Sequence, residues 1–237
     1  MFDSGKIQND FNKSSDFYSK NSLLQKNIAI DLIKFAEPYV KIDSEILDLG
    51  CGTGQIAALL AKQDLTNVTM VDNASKMLDI ARRNLSGYNI IEDDINCLKK
   101  LNQSFDVIFA NMSLHWCNDI NAAIKNAKHY LKPNGKIFIS IPSDNSFKEL
   151  HEINKNLKTK LKLGPLITQE NLQNQKILTK EYTQNFNSLL ELLKNFKRTG
   201  TGSKANANKA ILKSDYNYLK SVNDKYRTLS WEIIFIT

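Results

Sequence analysis

Residues 46–57 read ILDLGCGTGQIA. Apolar residues run into Asp48, and three glycines (Gly50, Gly52, Gly54) then fall within five positions. Glycine loses more conformational freedom on folding than any other residue, so three of them after a buried strand mark a backbone that must turn sharply or be closely approached. The stretch QIAALLAK that follows has helical spacing. Strand, glycine turn and helix together open a βα unit. The turn lies beyond the carboxyl end of the strand, where open α/β sheets bind their ligands.

The pattern repeats downstream. NVTMVD reads as a second strand, and SKMLDIARRNL as a helix with Ser75 as its expected N-cap. YNIIEDD and SFDVIFAN read as strands, the latter buried on both faces because its apolar run is continuous. INAAIKNAKHYLK reads as a helix stopped by a PNG turn, and KIFISIP as a fifth strand. Upstream, SLLQKNIAIDLIKFAEPYV places its apolar residues on one helical face and stops near Pro38. This alternation implies a doubly wound, mostly parallel sheet with helices on both faces. Three parts are expected: an N-terminal helical lid segment over 1–40, a ligand-binding α/β core over 41–142, and a C-terminal part over 143–237 that completes the sheet and forms the substrate side. In the last part KILTKEYTQNF and YRTLSWEIIFI read as strands, SFKELHEINKNLK, SLLELLKNFK and SDYNYLKSV as helices, and GTGSKANANK as a loop.

Composition narrows the functional classes. The 237 residues include 42% hydrophobic ones, enough for a large core. No apolar run reaches the ~18 residues of a membrane-spanning helix. The polar N-terminus is not a signal peptide. Cys51, Cys97 and Cys117 form no C-x-x-C pair, so a reduced, cytoplasmic protein without metal or disulfide is expected. The net charge is +7: residues 1–142 hold 16 Lys/Arg against 16 Asp/Glu, and residues 143–237 hold 16 against 9. The excess thus sits wholly in the C-terminal part. It is read either as a surface for an acidic partner or as the imprint of a Lys- and Asn-rich composition.

Two ligands suit the glycine turn. A dinucleotide wants G-x-G-x-x-G, so that its pyrophosphate rests on the helix N-terminus. Here the spacing is G-x-G-x-G, and Asp48 stands two positions before the first glycine, where it repels a pyrophosphate and suits an ammonium group. Asp72, at the end of the second strand, stands where a carboxylate pairs with ribose hydroxyls.

The string LDLGCGTG resembles the first motif of class I S-adenosylmethionine (SAM) methyltransferases. That resemblance implies a Rossmann-like fold with an antiparallel last strand and SAM as cofactor. It implies cofactor contacts at Asp48, Gly50, Cys51, Gly52, Gly54, Asp72, Asn73 and Met77, at Asp94 and Ile95 after the third strand, and at Asn111 ending the fourth. After that strand the chain reads NMSLHWCND, without the Asn/Asp-Pro-Pro-aromatic motif of base-modifying enzymes. Over nearly its full length the chain resembles the malonyl-acyl-carrier-protein O-methyltransferases of biotin synthesis. The resemblance is carried by Phe11 and Tyr18 (Phe-x(6)-Tyr), by NMSLHWCNDI with His115 in place of the usual Gln before Trp116, by SFKELH, by LKNFKRTG, and by YRTLSWEIIFI with SW in place of Thr-Tyr.

The implied acceptor is the free carboxylate of a malonyl thioester on acyl carrier protein or coenzyme A. A carboxylate with a pKa of roughly 4 is already ionised at neutral pH, so no general base is required and no catalytic dyad is expected. Tyr18, His115 and Trp116 are positioning candidates. Lys197, Arg198 and Lys204, with His115 and Trp116, are candidates for the malonyl site or its entrance, and the basic C-terminal surface for steering the acidic carrier protein to it. No nucleic-acid or membrane partner is expected, and a monomer is favoured. Three other readings stay open: a related protein that modifies a protein arginine, suggested by His115–Trp116; a methyltransferase for another small acceptor; and a nucleic-acid binder, suggested by the basic charge, although the cations are not interleaved with aromatics.

Overall fold

A computed structural model of the chain describes residues 3–161, 163–172, 175–198 and 212–237. Two helices lead, α1 (Ser4–Asn21) and α2 (Leu23–Ala36). The core then alternates: β1 (Ile46–Leu49), α3 (Gln55–Ala61), β2 (Val68–Asp72), α4 (Ser75–Asn84), β3 (Asn89–Glu92), β4 (Phe105–Asn111), α5 (Ile120–Lys128) and β5 (Leu131–Pro142). The C-terminal part adds α6 (Lys148–Asn156), β6 (Ile177–Asn185), α7 (Leu189–Arg198), α8 (Lys213–Ser221) and β7 (Thr228–Ile236).

The seven strands form one sheet in the order β3-β2-β1-β4-β5-β7-β6. β1 pairs in parallel with both β2 and β4, so strand order reverses beside β1. That reversal opens a crevice above the glycine turn. β7 inserts antiparallel between β5 and β6, as the expected last strand should.

Side-chain alternation assigns each strand residue to one of two cores. Ile46, Val107, Phe109, Phe138 and Trp231 face α2, α3, α6, α7 and α8. Leu47, Leu49, Ile108, Ile139 and Ile234 face α5 and the segment around Leu98–Leu101. Burying β1 on both faces fixes the height at which its glycine turn emerges.

Two local expectations change. Ser75 does not cap α4: the N-cap position is Ala74, whose side chain has no hydroxyl, and its N–H is taken by Asp72 Oδ1 at 2.8 Å. The PNG segment does not separate α5 from β5. It bulges within β5, where pairing jumps from Phe105↔Leu131 to Val107↔Lys136 and Asn134 takes φ +67°. A bulge admits extra residues without ending the ladder. Among the described residues, no helix is long and apolar enough to cross a membrane. The expected loop over 200–209 lies outside the described residues.

Candidate functional site

The glycine turn is held from two sides. Gly50 and Cys51 donate their N–H groups to the Val71 carbonyl at 2.8 and 3.0 Å. Asp72 Oδ2 accepts the N–H of Gly52 at 2.8 Å. All three glycines take positive φ, +73°, +54° and +83°, but they answer to different neighbours. A Cβ on Gly50 would lie 2.4 Å from Ser113 Cβ, and one on Gly54 would lie 2.5 Å from Leu85 Cδ1. A Cβ on Gly52 would meet nothing within 4 Å. Gly50 is therefore required by protein packing and Gly54 by its left-handed backbone beside the Leu85 side chain, whereas Gly52 borders open space.

That space is a pocket at the crevice, roofed by α1. Ser4, Ile7, Phe11 and Tyr18 line it from a single face of α1, at helical spacing. α1 is fastened to the α4 region by Gln8 Nε2, which donates to the Asn73 carbonyl, and by Asn12 Oδ1, which accepts the Lys76 N–H at 2.9 Å. Phe11 stands edge-on between Trp116 and Tyr18, with ring centroids 5.4 and 6.4 Å away. Edge-to-face geometry of this kind sets the positive ring edge against a neighbouring π-face. It joins α1 to the loop after β4.

Charge in the pocket has one sign. The described lining residues include Asp48 and Asp72 and no Lys, Arg or His. Asp48 is 1% exposed, and its Oδ2 has no hydrogen-bond partner. Burial, with Asp72 second, pushes its carboxyl up to about 8, partly offset by the Ala57 backbone N–H. Burial also raises Asp72, while the N–H groups of Ala74, Gly52 and Asn73 pull it back. The Tyr18 phenol is raised by burial, then by Asp72 and Asp48, and stays protonated. Burial, followed by the charges of Asp72 and Asp48, raises the Cys51 thiol well above its ordinary value, so it is no nucleophile.

Of the expected cofactor residues, Asp48, Gly50, Cys51, Gly52, Asp72, Asn73, Met77, Ile95 and Asn111 line the pocket, with Tyr18 and Trp116. Three expected residues are not on its wall. Gly54 packs against Leu85. Asp94 turns its Oδ1 to the Asn96 backbone N–H and side-chain amide at 2.9 and 2.7 Å, leaving Ile95 and Asn96 to face the pocket. His115 is 2% exposed behind Trp116, with ring centroids 5.1 Å apart, and burial lowers it to about 3, so it is neutral. Arg198 sits over the Phe17 ring of α1 at 3.9 Å. Lys204 lies outside the described residues, as does the side chain of Lys197.

Two further wall residues, Ser113 and Met112, left no local trace in the sequence. Ser113 donates its hydroxyl to the Leu49 carbonyl at 2.8 Å and lies against Gly50. Met112 takes φ +52°, held by its N–H to the Ser140 carbonyl at 2.9 Å and hydroxyl at 3.1 Å. Asn111 is fixed on both sides: Ser140 donates to its Oδ1 at 2.8 Å, and its Nδ2 donates to the Gln25 carbonyl at 3.2 Å. Ser4 and Ile7 share the helical face of Phe11 and Tyr18, and could have been found by extending that face towards the N-terminus. The SFKELH segment is a joint. Glu149 accepts both the N–H and the hydroxyl of Ser230, at 2.9 and 2.5 Å, pinning α6 to β7.

Residues 46–135 match the family model described as a methyltransferase domain. A malonyl-[acyl-carrier protein] O-methyltransferase of Calditerrivibrio nitroreducens is 29% identical over 83% of this chain and 79% of its own length. The protein of that name from Buchnera aphidicola is 26% identical over 99% of this chain and 98% of its own. The one from Bacillus anthracis is 31% identical over 61% of this chain and 55% of its own. Among solved structures, a SAM-dependent methyltransferase of Thermotoga maritima aligns with a TM-score of 0.55 and 16% identity over 98% of this chain and 99% of its own. The plantazolicin methyltransferase BpumL, solved with S-adenosylhomocysteine, aligns with a TM-score of 0.53 and 14% identity over 98% of this chain and 95% of its own. These two likenesses are likenesses of fold.

Proposed function

The chain belongs to the class I SAM-dependent methyltransferases, and from that premise we propose that it methylates the free carboxylate of a malonyl thioester carried on acyl carrier protein. The product is the malonyl methyl ester that primes the pimeloyl chain of biotin. The observation that carries the reading is the unpartnered carboxylate oxygen of Asp48, buried in a wall that holds two carboxylates and no described cation. A buried carboxylate without a partner is costly and calls for a cationic donor.

SAM fits this demand. When bound, it supplies an electrophilic methyl group on a sulfonium, for transfer to a nucleophile. Asp48 would hold its ammonium end. Asp72, fixed by Gly52 and Ala74, would take the ribose hydroxyls. Gly52 leaves room at the backbone. Met77 and Ile95 would flank the adenine.

The acceptor side follows from the same wall. A malonyl carboxylate arrives ionised, so no group has to remove a proton. The Tyr18 phenol keeps its proton, and Asp48 and Asp72 are the groups that would face the methyl donor. The protein's work is to exclude water and align. The Phe11–Trp116 contact closes the lid over the pocket, and Tyr18 keeps a phenolic hydrogen to donate. At the end of β4, Asn111 is held in one orientation and presents neutral polar atoms.

The test offers labelled SAM with malonyl-acyl carrier protein, malonyl-coenzyme A and acetyl-acyl carrier protein in parallel. Base-labile label on the malonyl substrates and none on the acetyl one is the expected result. SAM binding without transfer to any malonyl thioester overturns the proposal.

A further inference from the structure

The surface where α6 ends and α8 begins combines exposed cations with exposed apolar side chains. Lys155 and Lys158 lie at the end of α6 and in the turn after it, where Lys160 Nζ donates to the Asn154 carbonyl at 2.5 Å, and Lys213 and Lys220 belong to α8, with Lys220 Nζ 5.6 Å from the Tyr216 ring centre; all five are exposed. Among them lie Leu212 and Tyr216, two of the few large hydrophobic residues left exposed, at 47% and 44%. The two segments are in direct contact. Asn156 Nδ2 donates to the Tyr218 hydroxyl at 3.0 Å. Asp215 accepts the backbone N–H groups of Lys158 and Thr159 at 3.0 and 2.8 Å.

Every acidic group on these helices is already engaged. Asp215 is 2% exposed and turned inward by those two bonds. Glu149 binds Ser230, and Glu152 pairs with Lys225 at 3.2 Å. Beyond α8, Asp224 pairs with Arg227 at 3.1 Å. On the neighbouring α7, Glu191 accepts the N–H of Asn187. The outward surface is therefore basic around an apolar centre, an arrangement that receives an acidic, amphipathic helix: apolar anchors bury at the middle while rim cations steer approach. The surface connects to the pocket through one helix. α7 packs on α8, and its last residue, Arg198, stacks on Phe17 of the lid.

We propose that the α6–α8 face, with Leu212 and Tyr216 at its centre and Lys155, Lys158, Lys160 and Lys213 around them, is the docking surface for the acidic carrier protein that presents the thioester. The choice of partner rests on the malonyl reading above; the surface itself does not.

The test separates the two. Binding of fluorescently labelled holo-acyl carrier protein, without a malonyl group, is measured by anisotropy for the parent chain, for Lys158→Glu/Lys213→Glu and for Tyr216→Ser. Methylation of malonyl-pantetheine, which has neither protein nor phosphate, is measured in parallel with labelled SAM. The expected result is affinity for the carrier weakened about tenfold or more by charge reversal, with a flattened salt dependence. Tyr216→Ser weakens binding at all salt concentrations, and turnover of malonyl-pantetheine is unchanged in both variants. Unchanged carrier binding in both variants, or no measurable binding by the parent chain, overturns the docking surface. Failure of the parent chain to methylate any malonyl thioester overturns the malonyl reading instead, and the binding measurement still decides the surface.

Discussion

Asp72 on β2 accepts the N–H of Gly52 at 2.8 Å, across twenty residues of chain. Its other oxygen holds the Ala74 N–H at the same distance. One carboxylate thus sets the shape of the glycine turn and the start of α4. Asp72→Asn places an amide donor against one of these N–H groups. The expected cost is about 1–3 kcal/mol of stability, as for a buried polar group left unpaired. SAM affinity is expected to fall by about two orders of magnitude, because a fixed charged acceptor is removed as well. Melting and calorimetric titration check both; unchanged affinity would remove Asp72 from the cofactor site.

Gly50 and Gly52 have opposite consequences when replaced. Gly50→Ala drives a methyl to 2.4 Å from Ser113 Cβ, at φ +73°, and is expected to destabilise the fold by several kcal/mol. Ser113→Gly in the same chain should restore part of that loss. Gly52→Ala meets no protein atom within 4 Å and costs only about 1–2 kcal/mol for its left-handed backbone. It is nevertheless expected to abolish SAM binding, since its methyl fills the ligand's space. A Gly52→Ala chain that binds SAM normally would show that this space is not the cofactor's.

The Asp48 carboxyl is pushed by burial, then by Asp72, from 3.8 to about 8. Between those values the folded chain holds a proton that the unfolded chain has released. This contribution to stability is complete below about pH 4 and is lost as pH rises through about 8. Asp48→Asn should remove that slope and make the unliganded protein more stable than the parent at pH 8, by about 1–3 kcal/mol, while eliminating SAM binding. In the parent chain, binding a cationic ligand at pH 7 should expel a proton from Asp48. Titration calorimetry in buffers of different ionisation enthalpy measures that release, and a release of zero contradicts it.

Arg198 covers Phe17 at 3.9 Å and ties α7 to α1. A cation–π contact at the surface, here between exposed Arg198 and the half-buried Phe17 ring, contributes about 0.5–1 kcal/mol. Phe17→Ala or Arg198→Ala should therefore leave the global melting point within a few degrees while raising the KM for SAM several-fold and speeding proteolysis within α1. An unaffected KM with intact proteolytic protection would mean that α1 is held by α4 alone.

His115, lowered to about 3 by burial, stays neutral throughout the physiological range and contributes no limb to the pH–rate profile. His115→Gln should keep that profile and most of the turnover. Trp116→Ala, which opens the lid contact with Phe11, should lose at least about tenfold in kcat/KM, in keeping with the edge-to-face pair and the water it excludes. A new or missing pH limb in His115→Gln would place the imidazole in the reaction.

The sequence by itself determined the βα order, the glycine turn and the carboxylates at the ends of β1 and β2. These rest on strong local signals: continuous apolar runs, glycine clustering, and fixed strand-to-turn offsets. It also placed the helix α2 and, through family resemblance, the antiparallel closing strand. Only the tertiary structure decided how each glycine is used, because the neighbours of Gly50 and Gly54 (Ser113 and Leu85) come from distant segments. It likewise set His115 behind Trp116, turned Asp94 onto Asn96, and made Glu149 of SFKELH a clasp for Ser230. These outcomes depend on which side chains the sheet order brings together. Spacing along a chain carries that information for partners within a turn or two of each other, and not for partners that meet across a fold.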